Sequence, residues 1–199
     1  MTEGTPILAL VRHGETDWNR ARRIQGHTEV PLNPTGREQA RGAAELLAAS
    51  APGAWSSVYA SPLGRAIETA EIIARRLTLD APSIDAGLWE RNFGEAEGLL
   101  VSESEARWPG LLGIPEAEPL EEVAERSAAA IRTLAETNSG SIAVAHGAML
   151  RAGIARLTGE DVPRILNGEV WLLRRTATGY SAARHEAPQD ASRLLSHGI

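Results

Sequence analysis

The chain has 199 residues, of which 43% are apolar, and a formal net charge of −6 at pH 7. That length favours one domain with a substantial core, and the acidic balance argues against a general nucleic-acid binder. No apolar run approaches the roughly 20 residues of a membrane-spanning helix, and the first residues lack a signal-peptide pattern. We therefore expect a cytoplasmic protein with no nucleic-acid or membrane partner.

The sequence contains neither cysteine nor lysine. Without cysteine there are no disulfides, thiolate zinc sites or cysteine nucleophiles. Without lysine there is no P-loop lysine, kinase-type lysine or Schiff base. All 20 Lys and Arg residues are therefore arginine, and the acidic net charge still allows a local basic site that binds a phosphorylated small molecule.

Apolar periodicity predicts nine elements in chain order. They are strand 7–11, helix 35–49, strand 57–60, helix 62–77, helix 120–137, strand 141–145, helix 149–157, and strands 170–174 and 180–185. Strands that alternate with helices predict an α/β fold, a three-layer sandwich around a largely parallel sheet.

Two helix starts carry specific sequence signals. Thr35-Gly36-Arg37-Glu38 fits a capping box, and Ser61 fits an N-cap followed by Pro62 at the first helical position. Residues 95–118 are rich in Gly, Pro and Glu and are interpreted as an irregular cap or insertion within one domain spanning 1–199. The polar tail, about 188–199, is expected to be loose.

Two buried strands each end in the dipeptide His-Gly. Residues 7–11 lead into Arg12, His13 and Gly14, and residues 142–145 lead into His146 and Gly147. Ligands of open α/β sheets bind at the carboxyl ends of strands, so both histidines fall where chemistry is expected. Zinc binding is disfavoured, because no further ligand spacing such as His-Glu-x-x-His is present. We expect no metal site.

The surrounding motifs identify a family resemblance. The first block is Leu10-Val11-Arg12-His13-Gly14-Glu15-Thr16-Asp17-Trp18-Asn19. It is followed in order by Gln25-Gly26, Thr35-Gly36, Ser61-Pro62-Leu63-Gly64-Arg65-Ala66, Leu88-Trp89-Glu90 and Ala145-His146-Gly147. The ordered set resembles the histidine phosphatase superfamily, also called the phosphoglycerate mutase-like family.

The resemblance implies catalytic roles for five residues. His13 would attack phosphorus and become phosphohistidine, Arg12 and Arg65 would clamp the phosphoryl oxygens, and His146 would complete the phosphate pocket. Arginine suits this task because its planar fork makes bidentate contacts and keeps its charge. Nearby arginines should also disfavour the imidazolium form of His13. Glu90 would act as the acid–base residue.

Further residues complete the expected site. The resemblance implies phosphate or substrate contacts for Asn19, Gln25, Gly26 and Gly147, and it requires no metal or other cofactor. Glu15 and Asp17 are expected to organise the loop after His13. The basic cluster of Arg20, Arg22 and Arg23 either steers an anionic substrate or is simply solvated.

The expected activity is that of a metal-independent phosphomonoester phosphatase acting on a small phosphorylated metabolite. A cofactor-dependent phosphoglycerate mutase is the first alternative. Ala148 stands where mutases carry Asn, and the lysines that mutases use for a second phosphorylated ligand are absent. A weakly catalytic phospho-ligand binding or regulatory protein is the second alternative. A homodimer is possible, and nothing in the sequence decides it.

Overall fold

The computed structural model describes residues 7–50 and 53–186. Its sheet has six strands in the order β3-β2-β4-β1-β5-β6. Their bounds are β1 Leu8–Arg12, β2 Ser57–Ala60, β3 Ser83–Ile84, β4 Ser141–Ala145, β5 Val170–Arg175 and β6 Tyr180–His185. Strands β3, β2, β4 and β1 run parallel, whereas β5 and β6 form an antiparallel hairpin at one edge. The predicted α/β fold with a largely parallel sheet is confirmed.

Helices cover both faces of this sheet. They are α1 Asp17–Arg20, α2 Pro34–Ser50, α3 Gly64–Leu77, α4 Val101–Arg107, α5 Leu120–Thr137 and α6 Gly147–Thr158. Strand β1 shows how the layers form, since its side chains alternate between faces. Ala9 and Val11 pack in the cluster that contains α2 and α3 residues, and Leu8 and Leu10 pack in the cluster that contains α5 and α6 residues.

A third, smaller apolar cluster lies beneath the predicted cap. Its buried members are Ile24, Phe93, Ala96 and Ile114. The segment 95–118 is more regular than expected, because it contains α4 and two 3₁₀ helices. Its backbone also pairs with the loop after α1, where Ile24 N–H donates to Leu99 O at 3.0 Å. These contacts hold the cap against the loop that follows α1.

Three predicted helix starts are wrong. Helix α2 begins at Pro34, and Asn33 rather than Thr35 caps it, since Asn33 Oδ1 accepts the Gly36 N–H at 2.8 Å. Helix α3 begins at Gly64 instead of Pro62, and Ser61 Oγ, which accepts the Leu63 N–H at 3.4 Å, also lies 2.7 Å from His146 Nε2. Helix α6 begins at Gly147, directly after β4, instead of at 149.

Three elements escaped the sequence pattern, namely α1, α4 and β3. Helix α1 has four residues and strand β3 has two, so neither is long enough to show a period. The tail 188–199 lies outside the described residues. Within 7–50 and 53–186, none of the helices combines the length and the apolar character needed to cross a lipid bilayer.

Candidate active site

The two histidines that follow β1 and β4 lie side by side. These strands pair in parallel with Arg12 opposite Ala145, so His13 and His146 leave the sheet at the same level. Their ring centroids are 5.1 Å apart. Both side chains are buried, at 2% and 0% exposure. The sheet register therefore brings together two imidazoles that are far apart in sequence.

The imidazole of His13 is held in one orientation. Its Nδ1 lies 2.7 Å from Gly14 O, an atom that can only accept a hydrogen bond. Burial, together with the charges of Arg12 and Arg65, holds the pKa of His13 well below its ordinary value. The ring is therefore neutral near pH 7 with its proton on Nδ1. The lone pair is then on Nε2, as a nucleophile requires.

Arg12 and Arg65 are both buried and are held by carbonyl groups. Arg12 Nη1 donates to Ile165 O at 2.7 Å, and Arg65 donates to Thr28 O at 2.9 Å and to Gly26 O at 2.7 Å. Carbonyls orient a guanidinium without neutralising it. Burial lowers the pKa of Arg12 to about 10 and also lowers that of Arg65, yet both stay protonated at pH 7. The Nε of each is buried without a protein partner.

His146 occupies the other side of this charged group. Its Nε2 lies 2.7 Å from Ser61 Oγ, the side chain that follows β2. Its Nδ1 is buried without a protein partner. Burial, followed by the charges of Arg65 and Arg12, holds its pKa well below the ordinary value, so this ring is neutral as well. With Ser61 donating to Nε2, Nδ1–H becomes a donor available to an anion.

The Glu90 carboxylate is buried against the first turn of α6. Its Oε1 accepts from Met149 N–H at 2.9 Å and from its neighbour Arg91 N–H at 2.9 Å, and its Oε2 accepts from Ala148 N–H at 3.3 Å. A helix N-terminus favours a carboxylate in this position. Its charge acts on Arg12, whose lowered pKa it partly restores, so the carboxylate lies close to the phosphate-binding group.

The cleft in front of His13 has a volume of about 390 Å³, and its wall includes all four expected substrate contacts, namely Asn19, Gln25, Gly26 and Gly147. Asn19 Oδ1 accepts from Thr16 N–H at 3.1 Å, which leaves its Nδ2 as the donor for a ligand. Gln25 Oε1 accepts from the Thr16 hydroxyl at 2.8 Å.

Both glycines of this wall lie close to other groups. Gly147 leaves room for Arg12, whose Nε would lie 3.2 Å from a Cβ at that position. Gly26 has a φ of +52°, and a Cβ there would lie 1.8 Å from Glu97 Oε1. Substitution at Gly26 is therefore opposed by both backbone strain and a collision.

Glu97 is a supporting residue that sequence reasoning missed. Its carboxylate accepts from His27 N–H at 2.9 Å, from Thr28 N–H at 3.1 Å and from the Thr28 hydroxyl at 2.7 Å. It thereby fixes the loop whose carbonyls hold Arg65. Glu97 lies in the cap, and no local pattern marks a side chain that acts some 70 residues away in sequence.

The backbone of Glu90 has its own support. Arg126 of α5 donates to Trp89 O at 2.9 Å and to Glu90 O at 3.0 Å, and it pairs with Glu118. His27 Nε2 lies 2.8 Å from the same Glu90 carbonyl. These contacts fix the segment from which the Glu90 carboxylate projects. Neither Arg126 nor His27 had a sequence signal for this position.

The loop after His13 is organised as expected. Asn33 Nδ2 donates to Glu15 Oε1 at 2.9 Å and to Asp17 Oδ1 at 3.4 Å. The basic cluster separates into two parts. Arg20 pairs with Asp17 at 3.0 Å, whereas Arg22 and Arg23 line the cleft. In the part of the chain that is described, no group of three or more His, Cys, Asp or Glu side chains could hold a metal ion.

Comparison with known proteins identifies the family. The model of the histidine phosphatase superfamily, branch 1, matches residues 8–187, and the chain belongs to this superfamily. It is 39% identical over 156 residues to the uncharacterized phosphatase PhoE of Bacillus subtilis, covering 77% of this chain and 78% of the relative.

Two further likenesses are informative. The metal-independent phosphoserine phosphatase of Arabidopsis thaliana is 36% identical over 177 residues, covering 82% of this chain and 74% of that protein. The structure of mycobacterial glucosyl-3-phosphoglycerate phosphatase with VO3 superposes with a TM-score of 0.77 at 27% identity. That match covers 92% of this chain and 100% of the other.

Proposed function

We propose that this protein is a metal-independent phosphomonoester phosphatase that acts on a small phosphorylated metabolite through a phosphohistidine intermediate. The proposal rests on the protonation state and the surroundings of His13. It is a buried, neutral imidazole with its proton on Nδ1, and it is flanked by two guanidinium groups held by carbonyls. This arrangement provides a nucleophile and fixed positive charge at one point.

In the first step, His13 Nε2 attacks the phosphorus of the bound monoester. The new N–P bond forms as the P–O bond to the alcohol breaks, and Glu90 supplies the proton that the leaving oxygen takes. Arg12, Arg65 and His146 donate hydrogen bonds to the phosphoryl oxygens, where negative charge is concentrated. Their buried N–H groups without protein partners support this assignment.

In the second step, water replaces the alcohol. Glu90, now ionised, accepts a proton from the water as its oxygen attacks phosphorus, and the N–P bond breaks to regenerate neutral His13. Inorganic phosphate then leaves. The same carboxylate acts as acid and then as base, which suits its position on the cleft wall beside α6. None of these steps needs a metal.

Three of the similar proteins support hydrolysis and a small substrate, whereas others at 36% identity carry names of phosphoglycerate mutases or mutase-like proteins. Those compared above carry names of phosphatases, and one of these names specifies metal independence. A cleft of about 390 Å³ suits a ligand of metabolite size.

The test is hydrolysis of p-nitrophenyl phosphate in excess EDTA by the parent protein, His13→Ala and Glu90→Gln. We expect phosphate release by the parent, at least about a 10³-fold loss in His13→Ala and a smaller loss in Glu90→Gln. His185→Ala, which changes a histidine of β6 away from the cleft, is the matched control and should retain activity. Radioactive phosphate from a labelled substrate should become attached to the parent protein through an acid-labile bond. No such attachment should occur on His13→Ala.

Two results contradict the proposal. One is activity that survives His13→Ala, and the other is activity that EDTA removes. Transfer between 3-phosphoglycerate and 2,3-bisphosphoglycerate that is faster than hydrolysis would assign the mutase alternative instead. Binding of phosphorylated metabolites without hydrolysis or transfer would assign the binding-protein alternative.

A further inference from the structure

The cleft carries more positive charge than one phosphoryl group requires. Six arginines line it, whereas Glu90 is the one acidic residue among its lining residues. The arginines are Arg12, Arg22, Arg23, Arg65, Arg151 and Arg164. The chain as a whole has a net charge of −6, so this concentration of cations is local. Arg12 and Arg65 serve the reacting phosphoryl group, which leaves four arginines in the outer part of the cleft.

Two of these four, Arg151 and Arg164, are connected to the phosphate site through the backbone segment 162–165. Arg151 Nε donates to Val162 O at 2.8 Å, and Arg12 Nη1 donates to Ile165 O at 2.7 Å. The segment 162–165 is therefore anchored at one end to α6 and at the other to the phosphate clamp. Arg164 lies within this anchored segment. The bond from Arg151 uses only its Nε, so both of its terminal nitrogens remain available as donors.

The charges of Arg151 and Arg164 have no carboxylate partner in the described residues, 7–50 and 53–186. Arg156, on the same helix as Arg151 but away from the cleft, pairs with both Glu121 and Glu125. Arg164 also acts on Arg12, whose pKa it helps to lower. The charge of Arg164 therefore adds to that of Arg12, and an anionic ligand near them would reduce this repulsion.

Arg22 and Arg23 differ from this pair. Their backbone follows α1 and is held by the cap, with Val101 N–H donating to Arg22 O at 2.8 Å. Arg23 Nη1 donates to Gly98 O at 2.7 Å. Neither is linked to Arg12 or Arg65 by a hydrogen bond within the described part of the chain. Their position suits attraction of any anion into the cleft, without selection among anions.

We propose that Arg151 and Arg164 form a second anion subsite, so that the preferred ligand is a small phosphomonoester with a second anionic group. That group is a carboxylate or a second phosphate, and both match the donor fork of arginine. The cleft wall also includes Phe93, Leu111 and Ala148, which provide apolar contact for a short carbon skeleton between the two charged ends. This substrate class rests on the function proposed above.

The test measures binding, so that it does not depend on turnover. Isothermal titration calorimetry on His13→Ala compares three probes: 3-phosphoglycerate, fructose 1,6-bisphosphate and glycerol 3-phosphate. Adding Arg151→Gln and Arg164→Gln should weaken binding of at least one of the first two probes by about 10- to 100-fold. Binding of glycerol 3-phosphate, which has no second anionic group, should change less than about threefold.

The matched control carries Arg22→Gln and Arg23→Gln in the same background, with the same change in charge. It should weaken all three probes by similar, small factors. If the variant binds 3-phosphoglycerate more weakly, the second anionic group is a carboxylate. If it binds fructose 1,6-bisphosphate more weakly, that group is a second phosphate. Equal melting temperatures of the two variants exclude a folding defect.

Three outcomes overturn the subsite. In the first, the Arg151 and Arg164 variant loses affinity equally for all three probes. In the second, the control variant shows the selective loss of affinity instead. In the third, His13→Ala without these further changes binds probes with a second anionic group no more tightly than glycerol 3-phosphate. Failure of the proposed function is separate, because it is the absence of p-nitrophenyl phosphate hydrolysis by the parent protein. Selective binding without hydrolysis would leave the subsite standing and reject the phosphatase.

Discussion

The inner and outer parts of the cleft use the same side chain in two different ways. In the inner part, Arg65 is 1% exposed and its fork is held by two loop carbonyls. In the outer part, Arg22, Arg151 and Arg164 are exposed to solvent. The inner arginines are buried and held by carbonyls before a ligand arrives, whereas the outer ones are exposed, with Arg23 and Arg151 each held by one carbonyl. A rigid inner site suits chemistry common to all phosphomonoesters, and the outer residues suit discrimination among them.

The largest effect should come from the rigid inner part. Arg65→Lys should lower kcat/KM by about 10²- to 10³-fold, since the single nitrogen of an ammonium group cannot occupy the separate positions from which Nη1 and Nη2 bond Thr28 O and Gly26 O and Nε faces the cleft. Steady-state hydrolysis of p-nitrophenyl phosphate measures this. Arg37→Lys is the control, because Arg37 pairs with Glu68 on the partly exposed surface between helices. If both variants lost activity equally, the inner site would not depend on the guanidinium geometry.

A smaller effect should follow loss of support behind Glu90. Arg126→Gln removes the donors to Trp89 O and Glu90 O, and we expect kcat to fall about tenfold with little change in KM. Arg126→Lys should recover part of the loss. Arg132→Gln, an exposed position on the same helix, is the control. An unchanged kcat in Arg126→Gln would show that Glu90 needs no support from α5.

The acid side of the pH profile tests the inner electrostatics. Because the pKa of His13 lies well below the ordinary value of 6.5, kcat/KM should show no loss from His13 protonation as pH falls through 6.5. The drop should come only at lower pH. A plain titration at pH 6.5, assigned to His13 by NMR, would contradict the buried, neutral state.

The same shift makes stability depend on pH. Below pH 6.5 the unfolded chain protonates His13 while the folded protein does not, so the free energy of unfolding should decrease as pH falls toward the folded pKa. The slope is at most about 1.4 kcal/mol per pH unit for this histidine. Urea unfolding of the parent and of His13→Gln at about pH 7.5 and about pH 5.5 measures it. The variant should lose less stability on acidification, and equal losses would contradict the assignment.

The smallest effect should come from the exposed arginines near α1. Arg22→Gln combined with Arg23→Gln should lower kcat/KM by about threefold at low ionic strength and have almost no effect in high salt, where the charges are screened. Arg20→Gln is the control, because Arg20 already pairs with Asp17. A loss of kcat/KM that persists in high salt would mean that Arg22 or Arg23 contacts the substrate directly. These arginines would then bind the substrate and not only attract it.

The sequence by itself determined five of the six described strands and the position of the two histidines at strand ends. Short apolar runs and helical spacing are local signals, so most elements agree with their predicted positions, apart from the helix starts. The resemblance carried by these motifs then selected Arg65, Asn19 and Glu90, and all three line the cleft with His13. Parallel strands end at one edge of a sheet, and this rule predicts that His13 and His146 lie at the same edge. The pairing of β1 with β4, which makes them neighbours, came only from the structure.

Only the tertiary structure decided which groups support these residues. Ser61 was interpreted as a helix cap, yet its hydroxyl lies beside His146, 85 residues away in sequence. The bond from Met149 N–H to Glu90 spans 59 residues. Arg151 and Arg164 appear in sequence as ordinary surface arginines until packing places both on the cleft wall. Such contacts arise from the packing of elements that are far apart in sequence, so a local pattern of residues cannot predict them.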